Sequence, residues 1–284
     1  MVTSGRGQSS AVSVSAEIKR LFAGQRGVFA MAFRNSQTGE TILINEQESF
    51  HAASTMKTPV MIELFRLDGL KKIRLTDSVV VRNSFSSIVD SSGYSLNAAD
   101  DGQQELYTQI GTKKTIGDLL YQMIIKSSNL ATNLLIELAD ARQVTQTMRQ
   151  LGAEKTQVLR GVEDSKAYRK GWNNTTTALD LMTIYDKMAR AEIIDAKACD
   201  EMIGILLDQQ FNEIIPAKLP KEVRVAHKTG SITGVQHDSG IVLLPDGRKY
   251  VLVLLSKNLE DEKAAVETLA AVSELVYRYA SGQF

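Results

Sequence analysis

The chain has 284 residues, 43% of them hydrophobic, and its 33 basic and 33 acidic side chains cancel at pH 7. That length suits one large or two interleaved globular domains, and the balanced charge supplies no general field for nucleic acid or an anionic membrane. The single cysteine, Cys199, excludes an intrachain disulfide and a thiolate metal site, and His51, His227 and His237 lack the close spacing of a zinc motif, so neither metal nor cofactor is expected.

The start, "MVTSGRGQSSAVSVS", is polar and rich in Ser and Gly. Residues 1–13 read as a flexible leader rather than a signal peptide, and 14–23 as a short helix. "GVFAMAF", "NSQTGE" and "TILIN" together predict a hairpin. Next comes "HAASTMKTPV", where Met56, Val60, Met61, Leu64, Phe65 and Leu67 share one helical face and predict a helix over roughly 54–68. Ser54 then falls at the helix N-terminus, with Lys57 nearly one turn later on the same face, so the two can touch. Pro59 is tolerated because a missing N–H costs little so near a helix start.

The polar stretch "FSSIVDSSGYSLNAADDGQQ" predicts loop and short turns. In "TIGDLLYQMIIK", Thr115 is a plausible N-cap and Asp118 completes an imperfect capping box. The helix meets "SSN" and resumes as "LATNLLIELAD", with Asn129 positioned to cap the second piece, so Ser127 to Asn129 form a corner between two helices. Near the C-terminus, "KEVRVAHKTG", "SGIVLLP" and "RKYVLVLLS" read as strands, with "PDG" turning between the last two, and a long amphipathic helix covers 262–280. Strands at both ends around a helical centre predict an α/β fold, more narrowly α+β. One antiparallel sheet is built from 14–53 and 215–284 and flanked by terminal helices, and 54–214 is inserted as an all-helical domain with the active site at the interface. No segment is apolar for long enough to cross a bilayer.

A serine hydroxyl is a weak nucleophile and needs a base within hydrogen-bond reach. Lys57 can serve only as a neutral amine, which burial and a second nearby cation both favour. The helix N-terminus also places the backbone N–H of Ser54 where an oxyanion could form. Taken alone, "STMK" is a weak signal. With "SSN" and "KTG" following it in order, the chain resembles, over roughly residues 15–282, the class A β-lactamases and serine penicillin-binding proteins, with their β-lactamase/transpeptidase-like fold.

That resemblance implies a serine hydrolase without metal or cofactor. Ser54 would be the acylated nucleophile, Lys57 its base or proton relay, and Ser127 the group that passes a proton to the leaving nitrogen. Asn129 would hold the substrate's side-chain amide, Lys228 the positive field and Thr229 the substrate carboxylate. Backbone N–H groups of Ser54 and Ser231 would form the oxyanion hole, and Gly230 would let the substrate backbone lie close to the strand. Ser128 stands where the family has aspartate, which puts the local stability of the corner in doubt more than catalysis.

In the family, a glutamate and an asparagine on an Ω-shaped loop hold the deacylating water. Here the corresponding stretch is "LRGVEDSKAYRKGWNNTTTALDL", opening at Arg160 and anchored by Asn174. Glu163 is the best match for the base and Asp164 the second, although the spacing departs: Glu163 lies three residues after Arg160 rather than two, and Ala167 occupies the asparagine's place. Asn173 or Asn174 could compensate. The family's carboxylate-binding arginine is missing from the strand after "KTG", and His237 either replaces it in part or is a structural strand-end residue. His51 and His227 read as packing residues. Trp172 and Tyr94 are candidates to rim the cleft.

The expected activity is β-lactam hydrolysis through an acyl-enzyme. The rivals are a D-alanyl-D-alanine peptidase that deacylates slowly and a non-catalytic cell-wall-binding sensor. The partner is accordingly a β-lactam or a peptidoglycan stem peptide, with no nucleic acid. A monomer in the periplasm or secreted is expected, with a cytoplasmic location left open.

Overall fold

The alternation of side chains along two strands fixes the layering. In a computed structural model that describes residues 4–283, Phe29, Met31 and Phe33 of β1 (Val28–Asn35) enter one apolar cluster, while Ala30 and Ala32 enter another on the opposite side. β11 (Lys249–Lys257), paired antiparallel to β1, repeats the pattern: Tyr250, Leu252 and Leu254 point one way, and Val251, Val253 and Leu255 the other. A period of two with both faces apolar makes a sheet buried on both sides.

The sheet is antiparallel, in the order β2 (Thr41–Ile44), β1, β11, β10 (Val235–Leu243), β9 (Arg224–Ile232). On one face lie α1 (Ser4–Ala23), through Val14, Ile18 and Phe22, and α9 (Glu262–Ser281), through Leu269, Val272 and Val276. Helix α1 is longer than the sequence predicts. It begins at Ser4, so the expected leader is helical from there to residue 13, and residues 1–3 lie outside the described residues. Nothing in that stretch is proline, and Ser and Gly lower helix propensity without forbidding a helix anchored further on by packing.

The other face carries the segment between β2 and β9. Its helices are α2 (Lys57–Gly69), α3 (Ile116–Ile125), α4 (Asn129–Ala139), α5 (Ala141–Gln150), α6 (Ser165–Arg169), α7 (Ala178–Ala189) and α8 (Ala196–Leu207). Helix α7 lies against β1, β10 and β11. This segment is not purely helical. Short antiparallel ladders join β3 (Phe50–His51) to β8 (Thr175–Thr176), β4 (Ser78–Val80) to β7 (Lys113–Thr115), and β5 (Phe85–Ser86) to β6 (Gly93–Tyr94). No helix of the described residues is long and apolar enough to cross a membrane.

Two details place the site. Strand β9 is an edge of the sheet and packs against a 3-10 turn, Ala53–Met56, that runs straight into α2. Ser128, rather than the expected Asn129, caps α4, accepting from Ala131 N, and Asn129 is the first helical residue.

Candidate active site

Ser54 sits in the turn ahead of α2, half-buried, with Ala53 before it at φ 44°. A non-glycine residue in that region costs about 1–3 kcal/mol and is held by its surroundings. Here the Ala53 N–H donates to His51 Nδ1 at 3.0 Å. Burial, with help from Arg160, lowers the His51 pKa to about 4, so the ring stays neutral and Nδ1 remains an acceptor. On the other side is Gly230 of β9. A Cβ there would come within 3.1 Å of Ser54 N and 3.2 Å of Ala53 Cβ. The glycine expected to make room for substrate therefore first makes room for the Ser54 turn.

Lys57 and Lys228 are both fully buried. Lys57 Nζ donates to Ser127 O at 2.7 Å, Ser127 Oγ at 3.1 Å and Asn129 Oδ1 at 3.0 Å. Lys228 Nζ donates to the same Ser127 Oγ at 3.1 Å and to Thr229 O at 3.0 Å. The three motifs, distant in sequence, thus meet at one hydroxyl. Two buried ammonium groups around one oxygen are costly, and desolvation lowers the Lys57 pKa to about 7 against the opposing pull of Asp101 and Glu163. Desolvation and the charge of Lys57 drive Lys228 down as well.

Ser54, Ser127, Asn129, Thr229, Gly230 and Ser231 line a cleft of about 560 Å³ between β9 and the 126–129 corner. A neighbouring cavity shares Ser54 and Asn129 and extends to Glu163. Glu163 is half-buried at φ 62°, and its Oε1 accepts from Asn129 Nδ2 at 2.9 Å. Asn129 therefore bridges Lys57 and Glu163, its amide oriented by a donor on one side and a carboxylate on the other. Desolvation pushes the Glu163 carboxyl up from its ordinary value.

Asp164, the second candidate, is engaged elsewhere. It accepts from Ser87 Oγ at 2.9 Å and Ile88 N at 3.0 Å, and it caps α6 through Ala167 N at 3.0 Å. The loop is closed by Asn174, whose Oδ1 accepts from Leu159 N and Arg160 N while its Nδ2 donates to Arg160 O. Arg160 spans the loop to Trp172 O and Asn173 Oδ1. Asn173 is thus tied to Arg160, and Trp172 projects outward over which Lys170 stacks, 42% exposed. Tyr94 supports the loop from outside the cleft, its hydroxyl donating to Val162 O at 3.3 Å.

His237 borders the same cleft. The side chain is fully buried, its Nε2 pairs with His51 O at 2.9 Å, and its Nδ1 accepts from Ser256 N at 3.1 Å. Burial lowers its pKa to about 4. With both ring nitrogens held by backbone, a neutral His237 has no free donor or charge with which to replace an arginine. His227 is likewise internal, paired with Asp238 at 2.8 Å.

Sequence reasoning missed Asn133. Its Oδ1 accepts from Val162 N at 2.6 Å and its Nδ2 donates to Val162 O at 3.1 Å, a two-point clamp on the residue preceding Glu163. Asn129 and Asn133 lie one turn apart on α4, so one helix face grips two successive loop residues. The available signal was a pair of asparagines four apart in the otherwise apolar "NLATNLLIELA".

The model of the family described as Beta-lactamase enzyme family matches residues 13–280. Beta-lactamase VEB-1 of Pseudomonas aeruginosa is 21% identical over a 287-residue alignment covering 94% of this chain and 90% of its own. The crystal structure of a beta-lactamase from Sphaerobacter thermophilus DSM 20745 is 26% identical, with a TM-score of 0.80 over 96% of this chain and 97% of that one. The structure of PBP-A is 25% identical, also with a TM-score of 0.80 and the same coverage.

Proposed function

The chain belongs to the β-lactamase enzyme family, a family of hydrolases, and on that premise we propose that it is a serine β-lactamase of the class A type, working through an acyl-enzyme on Ser54. The observation that carries this reading is the meeting of Lys57, Lys228 and Ser127 at one hydroxyl beside the Ser54 turn. Neutral Lys57 takes the Ser54 proton as Oγ attacks the lactam carbonyl, and the backbone N–H groups of Ser54 and Ser231 receive the oxyanion. The C–N bond then breaks, and Ser127, donating its own proton to the departing nitrogen, is reprotonated from Lys57. Thr229 and the field of Lys228 hold the substrate carboxylate, and Asn129 its side-chain amide. Glu163 as the carboxylate draws a proton from water, which attacks the ester carbonyl, and that proton passes on to Ser54 Oγ as the ester C–O bond breaks, restoring the serine and the carboxylate.

The proposal includes a periplasmic or secreted, monomeric enzyme. One observation favours the slower rival, a D-alanyl-D-alanine peptidase: Ala167, buried, stands where a second water-holding amide is expected, which leaves Glu163 and Asn129 to position the water. Time-resolved mass spectrometry with penicillin separates the two. Free enzyme regained within seconds, with steady product release, supports the lactamase. An adduct persisting for minutes on wild-type protein assigns the chain to the peptidase branch.

A further inference from the structure

The corner that carries Ser127 and Asn129 has an unbalanced cap. Ser128 is the N-cap of α4, and its single hydroxyl serves one of the first N–H groups of the helix, that of Ala131 at 3.2 Å. An aspartate at an N-cap could accept from two. A second of these N–H groups, Leu130 N, points to a carboxylate from elsewhere in the chain: Asp101 Oδ2 accepts it at 2.8 Å. Asp101 lies in the loop before Gln104–Gln109, 29 residues away, and is 4% exposed. Its carboxylate also accepts from Tyr107 OH at 2.9 Å, Gln103 N at 2.8 Å and Ser128 Oγ at 3.4 Å.

The contact is built rather than incidental. Gly102 lies so close to the corner that a Cβ on it would stand 2.1 Å from Lys126 O, which only glycine allows. Asp101 and Gly102 thus press on both ends of the turn, at 130 and at 126. Between them Ser127 is held at φ 54°, a conformation that a serine keeps only when its neighbours over-determine it. Its hydroxyl is the one both buried lysines share.

We propose that Asp101 is a positioning residue that holds the Ser127–Asn129 corner in its reactive shape, supplying from a separate loop the carboxylate that Ser128 lacks. The buried anion sits at the positive end of α4, where the helix dipole favours it. It acts through Leu130 and Ser128 and does not touch substrate. The proposal rests on the acyl-enzyme reading only for its kinetic test.

Three variants decide it, Asp101→Asn, Ser128→Asp and the two combined, each measured for acylation by a chromogenic cephalosporin and for Lys57 titration by NMR of labelled lysine. Asp101→Asn removes the negative charge and weakens the anchor, and acylation should fall at least about tenfold, the usual weight of a hydrogen bond to a charged group, with deacylation changed less. The charges facing Lys57 are Asp101 and Glu163, which stabilise its ammonium, and Lys228, which opposes it. Losing Asp101 should therefore move the Lys57 titration to lower pH. In the double variant an aspartate at the cap can accept from Leu130 and Ala131 itself, and both readouts should return most of the way to wild type. Asp101→Asn with unchanged acylation and titration overturns the proposal. If Asp101→Asn fails to fold, the double variant decides, and its failing to fold or remaining slow overturns the proposal equally. A wild-type protein that penicillin never acylates would instead sink the acyl-enzyme reading and leave the Lys57 titration to judge Asp101.

Discussion

The half of the site around Ser54 and the half around Glu163 are built differently. Ser54, Lys57, Ser127 and Lys228 stand on a helix start, a helix corner and a sheet edge, and the two lysines are wholly buried. Glu163 stands on a loop, half-buried at positive φ, and is held by the Asn129 side chain of α4 while Asn133, one turn on, grips the preceding Val162. Under the proposed mechanism, groups neutralised by burial need rigid walls, whereas a group that delivers water needs a side open to solvent. Asn129 connects the two halves, accepting from Lys57 on one side and donating to Glu163 on the other.

If that contrast is right, the two halves fail separately. Lys57→Met should have the larger effect, lowering acylation by about 10²- to 10⁴-fold, the ordinary weight of a positioned base. In the wild type the same group sets the acid limb. The amine must be neutral, its pKa lies near 7, and acylation should decline tenfold per pH unit well below that value and level off above it. A pH-independent acylation rate between 5 and 8 would remove Lys57 from the base role.

Glu163→Gln should leave acylation within about threefold and slow deacylation by at least about 10²-fold, seen as a stoichiometric burst followed by little turnover. Equal losses in both steps would mean that the halves are not separable. Asn133→Ala should have the smallest effect: removal of both hydrogen bonds to Val162 should cost about 1–3 kcal/mol in denaturant unfolding and slow deacylation roughly tenfold. Normal deacylation in a destabilised variant would make the clamp purely structural.

The same contrast governs what could be read from the sequence. The half around Ser54 was legible because its signals are local: Ser54 and Lys57 lie three residues apart, and "SSN" and "KTG" are short contiguous segments. The sheet was legible because β1, β10 and β11 carry apolar runs between turn residues. Several features were not. Helix α1 extends to Ser4 against weak local propensity. His237 reads either as a partial stand-in for the arginine or as a structural strand-end residue, and the backbone partners of its nitrogens are not visible in sequence. Asp101 reads as one polar residue in a polar loop, since its partner Leu130 N lies far off in sequence. Roles that depend on contact between distant segments, with no motif to carry them, leave no periodic trace.

The central claim is that Ser54 becomes covalently modified because three separated segments bring two buried amines together at the Ser127 hydroxyl beside its turn. Peptide mass mapping of Glu163→Gln after brief exposure to penicillin tests it most directly. The account predicts a mass increase equal to one intact penicillin on the peptide containing Ser54, absent when Ser54→Ala is added. Protein left unmodified, or an adduct mapped to any other residue, would contradict it.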